Sequence, residues 1–196
     1  MKTSTNLMRI KLGNIAQLQF GFYGKPSENG DAVYLQAKHF DDSGNQKVKI
    51  DTFIKLDEKN KNHLLEDGDI LLVGKGMRNF AWMYQSKYGA AIASSIFYVI
   101  KVDKSQVLPE FLTTIFNMPE TQSFFQTLGA GSSIPSIRKS ELEAFTITLP
   151  PLELQEKAIT INQLHTRDIE LSQSIINEKQ KLYQSIIKKL INLNNE

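Results

Sequence analysis

The chain has 196 residues, a formal net charge of +2 and no cysteine. The missing thiols exclude a disulfide framework, a thiolate metal site and a cysteine nucleophile, while the near-neutral total leaves only the distribution of charge informative. No apolar run approaches the roughly 18 residues that span a bilayer, and Met1 to Gly13 is mixed and polar, so a soluble, cytoplasmic protein with no membrane association is expected.

Ile10 to Phe20 reads as a short helical or turn element around Leu12, Ile15 and Ala16, leading into a strand from Gln17 to Phe20. Gly21-Phe22-Tyr23-Gly24-Lys25-Pro26 is a glycine-punctuated loop with two aromatics and a cation, and Asn29-Gly30-Asp31 is a turn. Val33 to Ala37 is a strand candidate carrying Gln36 and ending at Lys38 and His39, and Asp42-Ser43-Gly44-Asn45 turns again. From Lys47 to Leu56, Val48, Ile50, Ile54 and Leu56 lie on one side and Lys49, Asp51 and Lys55 on the other, which predicts a half-buried strand.

Glu66-Asp67-Gly68-Asp69 turns into Ile70-Leu71-Leu72-Val73, a short apolar run of the kind found in buried strands, interrupted by Gly74-Lys75-Gly76. Ile92 to Val102 is apolar on both faces and predicts a central strand. Pro109 starts a helix with Phe111, Leu112, Ile115 and Phe116 inward; Pro119 starts another with Phe124, Phe125 and Leu128, stopped at Gly129. Phe145, Ile147 and Leu149 alternate with Thr146 and Thr148 in a last strand. The expected fold class is mixed α/β (α+β): a globular domain over residues 1–150, then one long C-terminal α-helix of coiled-coil type over 151–196.

Pro150-Pro151 closes the globular part, and the residues to Asn194 contain no further proline and no glycine. Glu153 and Glu156 suit the positive end of a helix dipole and Lys188 and Lys189 the negative end. A helix from Leu152 to Leu193 is roughly 60 Å long at 1.5 Å per residue, more than a small domain is wide. Leu164, Asp168, Leu171, Ile175, Lys179, Leu182, Ile186, Leu190 and Leu193 follow a spacing that returns every eleven residues, a period that favours a nearly straight or slightly right-handed pairing. Leu164, Leu171, Ile175, Leu182, Ile186, Leu190 and Leu193 are therefore the candidate dimerisation residues.

The known phosphate and metal motifs fail. Gly74-Lys75-Gly76 has Asp69 where a phosphate loop needs its first glycine and Gly76 where it needs a hydroxyl. Gly129-Ala130-Gly131 lacks the third glycine of a dinucleotide fingerprint. His39, His63 and His165 form no metal-spaced pair. Acid pairs such as Asp57-Glu58 flank turns, so neither a catalytic residue, a metal nor a cofactor is expected.

The charge distribution is more telling. No acid occurs between Asp69 and Asp103, where Lys75, Arg78, Lys87 and Lys101 lie, nor between Glu120 and Glu141, where Arg138 and Lys139 lie. Acids gather instead at positions such as Asp41, Asp42, Glu66 and Asp67. One positive and one acidic face are expected, the former attracting phosphates. Gly74 to Tyr84 joins Lys75, Arg78 and Asn79 to Phe80, Trp82 and Tyr84. Arginine and asparagine suit bidentate contacts with guanine and adenine, and lysine suits phosphate; Phe80 and at least one of Trp82 and Tyr84 are expected in the core. The loop at Gly129 to Lys139 offers Ser132, Ser133 and Ser136 beside Arg138 and Lys139, with Ser140 as the alternative cap of a short helix. With Tyr23, Lys25, Gln36, Lys38 and Lys87, these are the candidate DNA-binding residues.

At this point the chain resembles the DNA-specificity subunit of type I restriction–modification systems. The carrying pieces are K-L-G-N-I-A-Q-L-Q-F-G at Lys11 to Gly21, E-D-G-D-I-L-L-V at Glu66 to Val73 and A-S-S-I-F-Y-V-I at Ala93 to Ile100. They continue with L-P-E-F-L at Leu108 to Leu112, G-S-S-I-P-S-I-R-K-S-E-L at Gly131 to Leu142 and F-T-I-T-L-P-P-L-E-L-Q-E-K at Phe145 to Lys157. The resemblance implies a target-recognition domain and a spacer helix, no catalysis of its own, and double-stranded DNA and methyltransferase subunits as partners. A restriction subunit is a further partner it allows. Subunits of this kind usually hold two such units whose helices pair antiparallel; this chain holds one, which fits either a half-length subunit that forms a homodimer or a piece of a longer protein. A protein–protein adaptor oligomerising through the helix is the alternative reading from a different class.

Overall fold

The computed structural model describes residues 8–41, 44, 46, 50–128 and 135–193. The chain divides into two units, Met1–Glu156 and Lys157–Glu196. Among the described residues of the first, nine strands run in the order β1 (Met8–Lys11), β2 (Ala16–Phe20), β3 (Ala32–Leu35), β4 (Phe53–Ile54), β5 (Ile70–Val73), β6 (Ala81–Met83), β7 (Ala91–Ala93), β8 (Phe97–Val102) and β9 (Thr146–Leu149). The helices are α1 (Pro109–Asn117), α2 (Pro119–Leu128), α3 (Lys139–Glu143) and α4 (Leu152–Leu193). The result is a mixed α+β domain and a long C-terminal helix.

The strands form a four-stranded sheet in the order β2-β8-β5-β6, a three-stranded sheet β4-β3-β7 and a β1-β9 pair. All four residues of β5 are buried, as its uniformly apolar sequence requires; each such side chain withdrawn from water stabilises the fold by about 1.5–3 kcal/mol. Phe40, Phe80 and Phe97 pack mutually, with ring centroids 5.3–6.2 Å apart, and Trp82 joins Phe40 at 5.2 Å. Phe80 and Tyr84 are core residues as expected, and Trp82 is partly buried against them.

Several elements differ from expectation, each for a local reason. The single strand expected over Ile92–Val102 is two. Ser94 donates its N–H to the Leu35 carbonyl (2.9 Å) and Phe97 donates back to Ser94 (3.0 Å), so the chain turns and passes from one sheet to the other. β8 is nonetheless central, lying between β2 and β5. Of the strand expected over Lys47–Leu56, only Phe53–Ile54 is in the ladder among the described residues, opposite Ala32 and Val33 of β3, with one further bond from Tyr34 N–H to Thr52 O (2.9 Å); residues 47–49 lie outside the described residues. The expected turn at Asp42–Asn45 is described only at Gly44. β1 is an addition to the predicted set, a mostly exposed strand stabilised by its register with β9. β6 is a second addition. Its outer edge is satisfied by Asn117 at the end of α1, whose amide accepts from Ala81 N–H and donates to Ala81 O, both at 2.8 Å.

α1 and α2 begin at their prolines, as the missing N–H and fixed φ favour. α3 begins one residue before the expected cap. Arg138 is its N-cap and its N–H donates to the Glu141 carboxylate at 2.8 Å, so Ser140 lies inside the helix. At the head of α4, Gln155 is 0% exposed. Its side chain accepts from Leu108 N–H (2.9 Å) and donates to the carbonyls of Gln106 (3.0 Å) and Pro150 (2.9 Å).

In the second unit, from Lys157 onward, α4 exposes Ile161, Leu164, Leu171, Ile175, Leu182, Ile186 and Leu190. Leu193 is the last helical residue. Arg167–Glu170 (3.1 Å) and Lys181–Glu178 (2.7 Å) pair along the helix.

Candidate nucleic-acid interface

The two acid-free windows, sixty residues apart in sequence, are stitched together by backbone. Gly76 donates its N–H to the Pro135 carbonyl (2.8 Å), Ile137 donates to Gly74 O (2.9 Å), and Lys75 faces Ser136 in an antiparallel bridge. The junction extends inward. Gly74 donates to Ile96 O (2.9 Å), Gly21 to Phe97 O (2.9 Å) and Phe22 to Ala93 O (2.8 Å). The turns at Gly21–Tyr23, Gln36, Ser94–Ile96, Gly74–Gly76 and Pro135–Ile137 therefore gather at one edge of the sheets.

Two glycines make this approach sterically feasible. A Cβ at Gly74 would stand 2.5 Å from the Tyr98 ring, and one at Gly21 would stand 2.2 Å from the Ser94 carbonyl oxygen. Tyr98 lies at the centre of the junction. Its ring is 4.7 Å from Phe20 and its hydroxyl donates to Ile137 O at 2.8 Å. Burial, then the nearby charges of Glu141 and Glu143, push the Tyr98 hydroxyl up to about 12, so it stays a donor at any physiological pH. Lys75 Nζ sits 6.0 Å over the Phe20 ring, its head in water.

Tyr34 holds the neighbouring loop. Its hydroxyl donates to Phe22 O (2.9 Å) and accepts from Gly24 N–H (3.2 Å), which leaves Tyr23 88% exposed and Lys25 exposed beside it. Gln36 donates its N–H to Nδ1 of His39 (3.1 Å). Because that nitrogen accepts, the neutral ring carries its proton on Nε2, which lies 3.0 Å from Thr52 Oγ1; the threonine hydroxyl in turn donates to Tyr34 O at 3.1 Å. Burial, then the charge of Lys38, holds the His39 pKa below its ordinary value, with Asp51 opposing.

The predicted residues divide by placement. Lys75, Arg78, Ser136 and Arg138 are exposed on or beside the stitched loops, and Tyr23 and Lys25 lie on the adjoining one. Gln36 and Lys38 follow β3 at the same edge, with Lys38 3.7 Å from Asp51. Lys139 is 3.6 Å from Glu143, so the second window, acid-free in sequence, is not acid-free in space. Asn79 is 6% exposed and donates its amide to Val73 O at 2.9 Å; its role is to close the β5–β6 turn, and it is not available to a base. Lys87 lies at the opposite end of the β5–β6 hairpin from Lys75, beside Ser86, whose N–H donates to Asp67 (2.8 Å). Ser132 and Ser133 lie outside the described residues.

That opposite end is acidic. Glu66 and Asp69 flank Lys101 at 2.7 and 3.6 Å, so Lys101 is neutralised despite its acid-free sequence window. The sequence held no signal for Tyr34, Tyr98 or the Ser94–Ile96 turn as organisers of the loops, because their contacts are set by strand pairing. Among the described residues no group of three or more His, Asp or Glu side chains is placed to hold a metal ion, and no helix is long and apolar enough to cross a membrane.

The family model for the type I restriction modification DNA specificity domain matches residues 7–191. No curated protein matches the chain. Among solved structures, the fold is similar to the type I restriction–modification S subunit from M. genitalium (TM-score 0.63, 13% identity, 92% of this chain and 44% of that one). It is also similar to a chain from a structure concerning complex assembly and conformational transition of the type I R-M system (0.62, 15%, 94% and 44%). The HsdS subunit from Thermoanaerobacter tengcongensis is a third (0.60, 15%, 85% and 39%). The chain thus spans less than half the length of the solved structures it matches.

Proposed function

The chain belongs to the type I restriction modification DNA specificity family, and from that premise we propose that it is a non-catalytic subunit reading one half of a bipartite site in double-stranded DNA. On this reading residues 1–150 are the target-recognition domain and 151–196 a spacer and dimerisation helix. Methyltransferase subunits dock on it, a restriction subunit completes the assembly where one is present, and the complex works in the cytoplasm. Two copies related by a two-fold axis read an inverted repeat, since protein symmetry is mirrored in the site.

The observation that carries this reading is the stitching of Gly74–Gly76 to Pro135–Ile137, which sets Lys75, Arg78, Ser136 and Arg138 along one loop edge with Tyr23 and Lys25 alongside. Lysine there grips phosphate, and arginine reads guanine edges through paired donors. The test is methylome sequencing of the host with and without the gene. Loss of one bipartite modified motif on deletion is expected; an unchanged methylome overturns the proposal. Salt-insensitive binding to a protein, with no DNA affinity even beside the methyltransferase, favours an adaptor instead.

A further inference from the structure

The β5–β6 turn carries one exposed side chain that charge does not account for. Met77 is 78% exposed, and among the described residues of the first unit only Tyr23 leaves a large apolar side chain more open to water. Scattered exposed apolar side chains are ordinary, but this one stands on a tip whose backbone is held from both sides. Before it, Gly74 donates to Ile96 O and accepts from Ile137 N–H, and Gly76 donates to Pro135 O. After it, Asn79 spends its amide on Val73 O and Phe80 is buried in the core. Gly76 takes φ +111, which glycine accepts readily, and the chain bends there between the exposed Lys75 and Met77.

The surroundings of Met77 say what fits over it. Lys75 and Arg78 flank it and Arg138 lies on the loop stitched to it, all exposed, and the sequence holds no acid between Asp69 and Asp103. A thioether among cations suits a surface that is anionic along its rim and apolar at a point within. Duplex DNA offers such a surface. Phosphates line its major groove, and the apolar group displayed there on the base edges is the 5-methyl of thymine. The mount has a suitable shape as well, because the major groove admits a two-stranded β-ribbon and Met77 sits on the turn of the antiparallel β5–β6 pair. Methionine is unbranched and polarizable, so it can settle against a methyl without a shaped pocket.

We propose that Met77 is a specificity-determining residue that reads one thymine of the half-site through its 5-methyl group in the major groove. The proposal rests on the DNA-reading function above and adds a contact that the flanking cations do not make: lysine and arginine take phosphate or guanine, whereas Met77 selects a base by its apolar edge.

The test uses the chain assembled with its methyltransferase and duplexes carrying the motif found by methylome sequencing. Each thymine is replaced in turn by deoxyuridine, which deletes the methyl and keeps every hydrogen-bonding group. By fluorescence anisotropy the parent is expected to lose about three- to fivefold in affinity at one thymine of the half-site, the effect of one methyl withdrawn from water. Met77→Ala is expected to bind the unmodified motif about as weakly as the parent binds that uracil duplex, and to lose less than about twofold more on it. Met77→Leu is expected to keep the discrimination, and Met77→Gln, similar in length but polar, to lose it. Thermal melting of all three variants is expected to match the parent, since the side chain is exposed. A parent indifferent to every uracil overturns the methyl contact and leaves the DNA-reading function standing. Uracil sensitivity that persists in Met77→Ala does the same, since the methyl then lies against another residue and Met77 acts at most as a wedge between bases. Loss of the methyltransferase from the Met77→Ala assembly, with thymine preference kept, overturns the proposal in favour of a protein contact. Equal affinity of the parent for the motif and a scrambled duplex overturns the DNA-reading function itself, and this assignment with it.

Discussion

Tyr98 donates its hydroxyl to the backbone carbonyl of Ile137 at 2.8 Å, joining the central strand β8 to the loop that carries Ser136 and Arg138. The bond is buried, so its loss leaves a carbonyl with no water to replace the donor. Tyr98→Phe keeps the ring that packs on Phe20 and removes only the hydroxyl. It is expected to cost about 1–3 kcal/mol of stability, measured by urea denaturation, and to weaken DNA binding without moving the charged side chains.

Gly74 is a stricter test of the same junction. A methyl group there meets the Tyr98 ring at 2.5 Å, so either the ring or the Gly74–Ile137 bridge has to shift. Gly74→Ala is expected to destabilise by about 1–3 kcal/mol through overpacking, with thermal melting as the readout. Combined with Tyr98→Phe, the two losses are expected to be less than additive, because a ring displaced by the added methyl has already lost its hydroxyl's bond to Ile137 O.

For the interface, Lys75→Ala is expected to weaken binding to all DNA sequences alike and to lower the slope of log affinity against log salt by about 1. Arg78→Ala and Arg138→Ala are expected to do the same when the side chain meets phosphate. If either reads a guanine, replacing that base is expected to cost about 1–3 kcal/mol in the parent and little in the variant. Fluorescence anisotropy over a salt series, on the modified motif and on a scrambled duplex, separates these outcomes. Lys87→Ala, at the far end of the hairpin, is expected to change neither slope nor preference.

His39 predicts a pH dependence. Its pKa in the folded chain lies below the ordinary 6.5, mainly through burial, so above that value the ring is neutral in both folded and unfolded states and its contribution to stability is fully present. As pH falls below about 6.5 the unfolded chain takes up a proton that the folded chain resists, and stability declines until the folded ring also titrates. Protonation of Nδ1 then breaks the bond from Gln36 N–H. The denaturant midpoint is expected to fall on acidification in wild type, and the part of that fall due to this ring is expected to vanish in His39→Gln.

Strong local patterns made much of this fold legible in advance. The uniformly apolar Ile70–Val73 is the buried strand it reads as, the prolines mark the first turns of α1 and α2, and α4 runs over the predicted span. Patterns that depend on a partner were less legible. Lys47–Leu56 alternates well, yet among the described residues its ladder is Phe53–Ile54. Ile92–Val102 reads as one strand, yet the Ser94 turn divides it between two sheets. Charge counting singled out two loops but could not show that their backbones pair. It also placed Lys101 in an acid-free window, although Glu66 and Asp69 neutralise it in space, while Asn79, a candidate on the chemistry of its amide, spends that amide on the Val73 carbonyl; only tertiary contacts reveal such roles.

The loop junction has a consequence for how such a protein changes its preference. Gly74, Gly76, Pro135 and Ile137 meet through main-chain groups, and the tyrosines that brace them, Tyr34 and Tyr98, also bond to main-chain groups. No side chain at position 23, 25, 75, 136 or 138 is one of those fastenings. A library randomised at these five positions is therefore expected to retain the parent's folding cooperativity in most members while scattering widely in the DNA they select. On the proposed reading of these loops, recognition then drifts one residue at a time across an unchanged frame, without passing through unfolded intermediates.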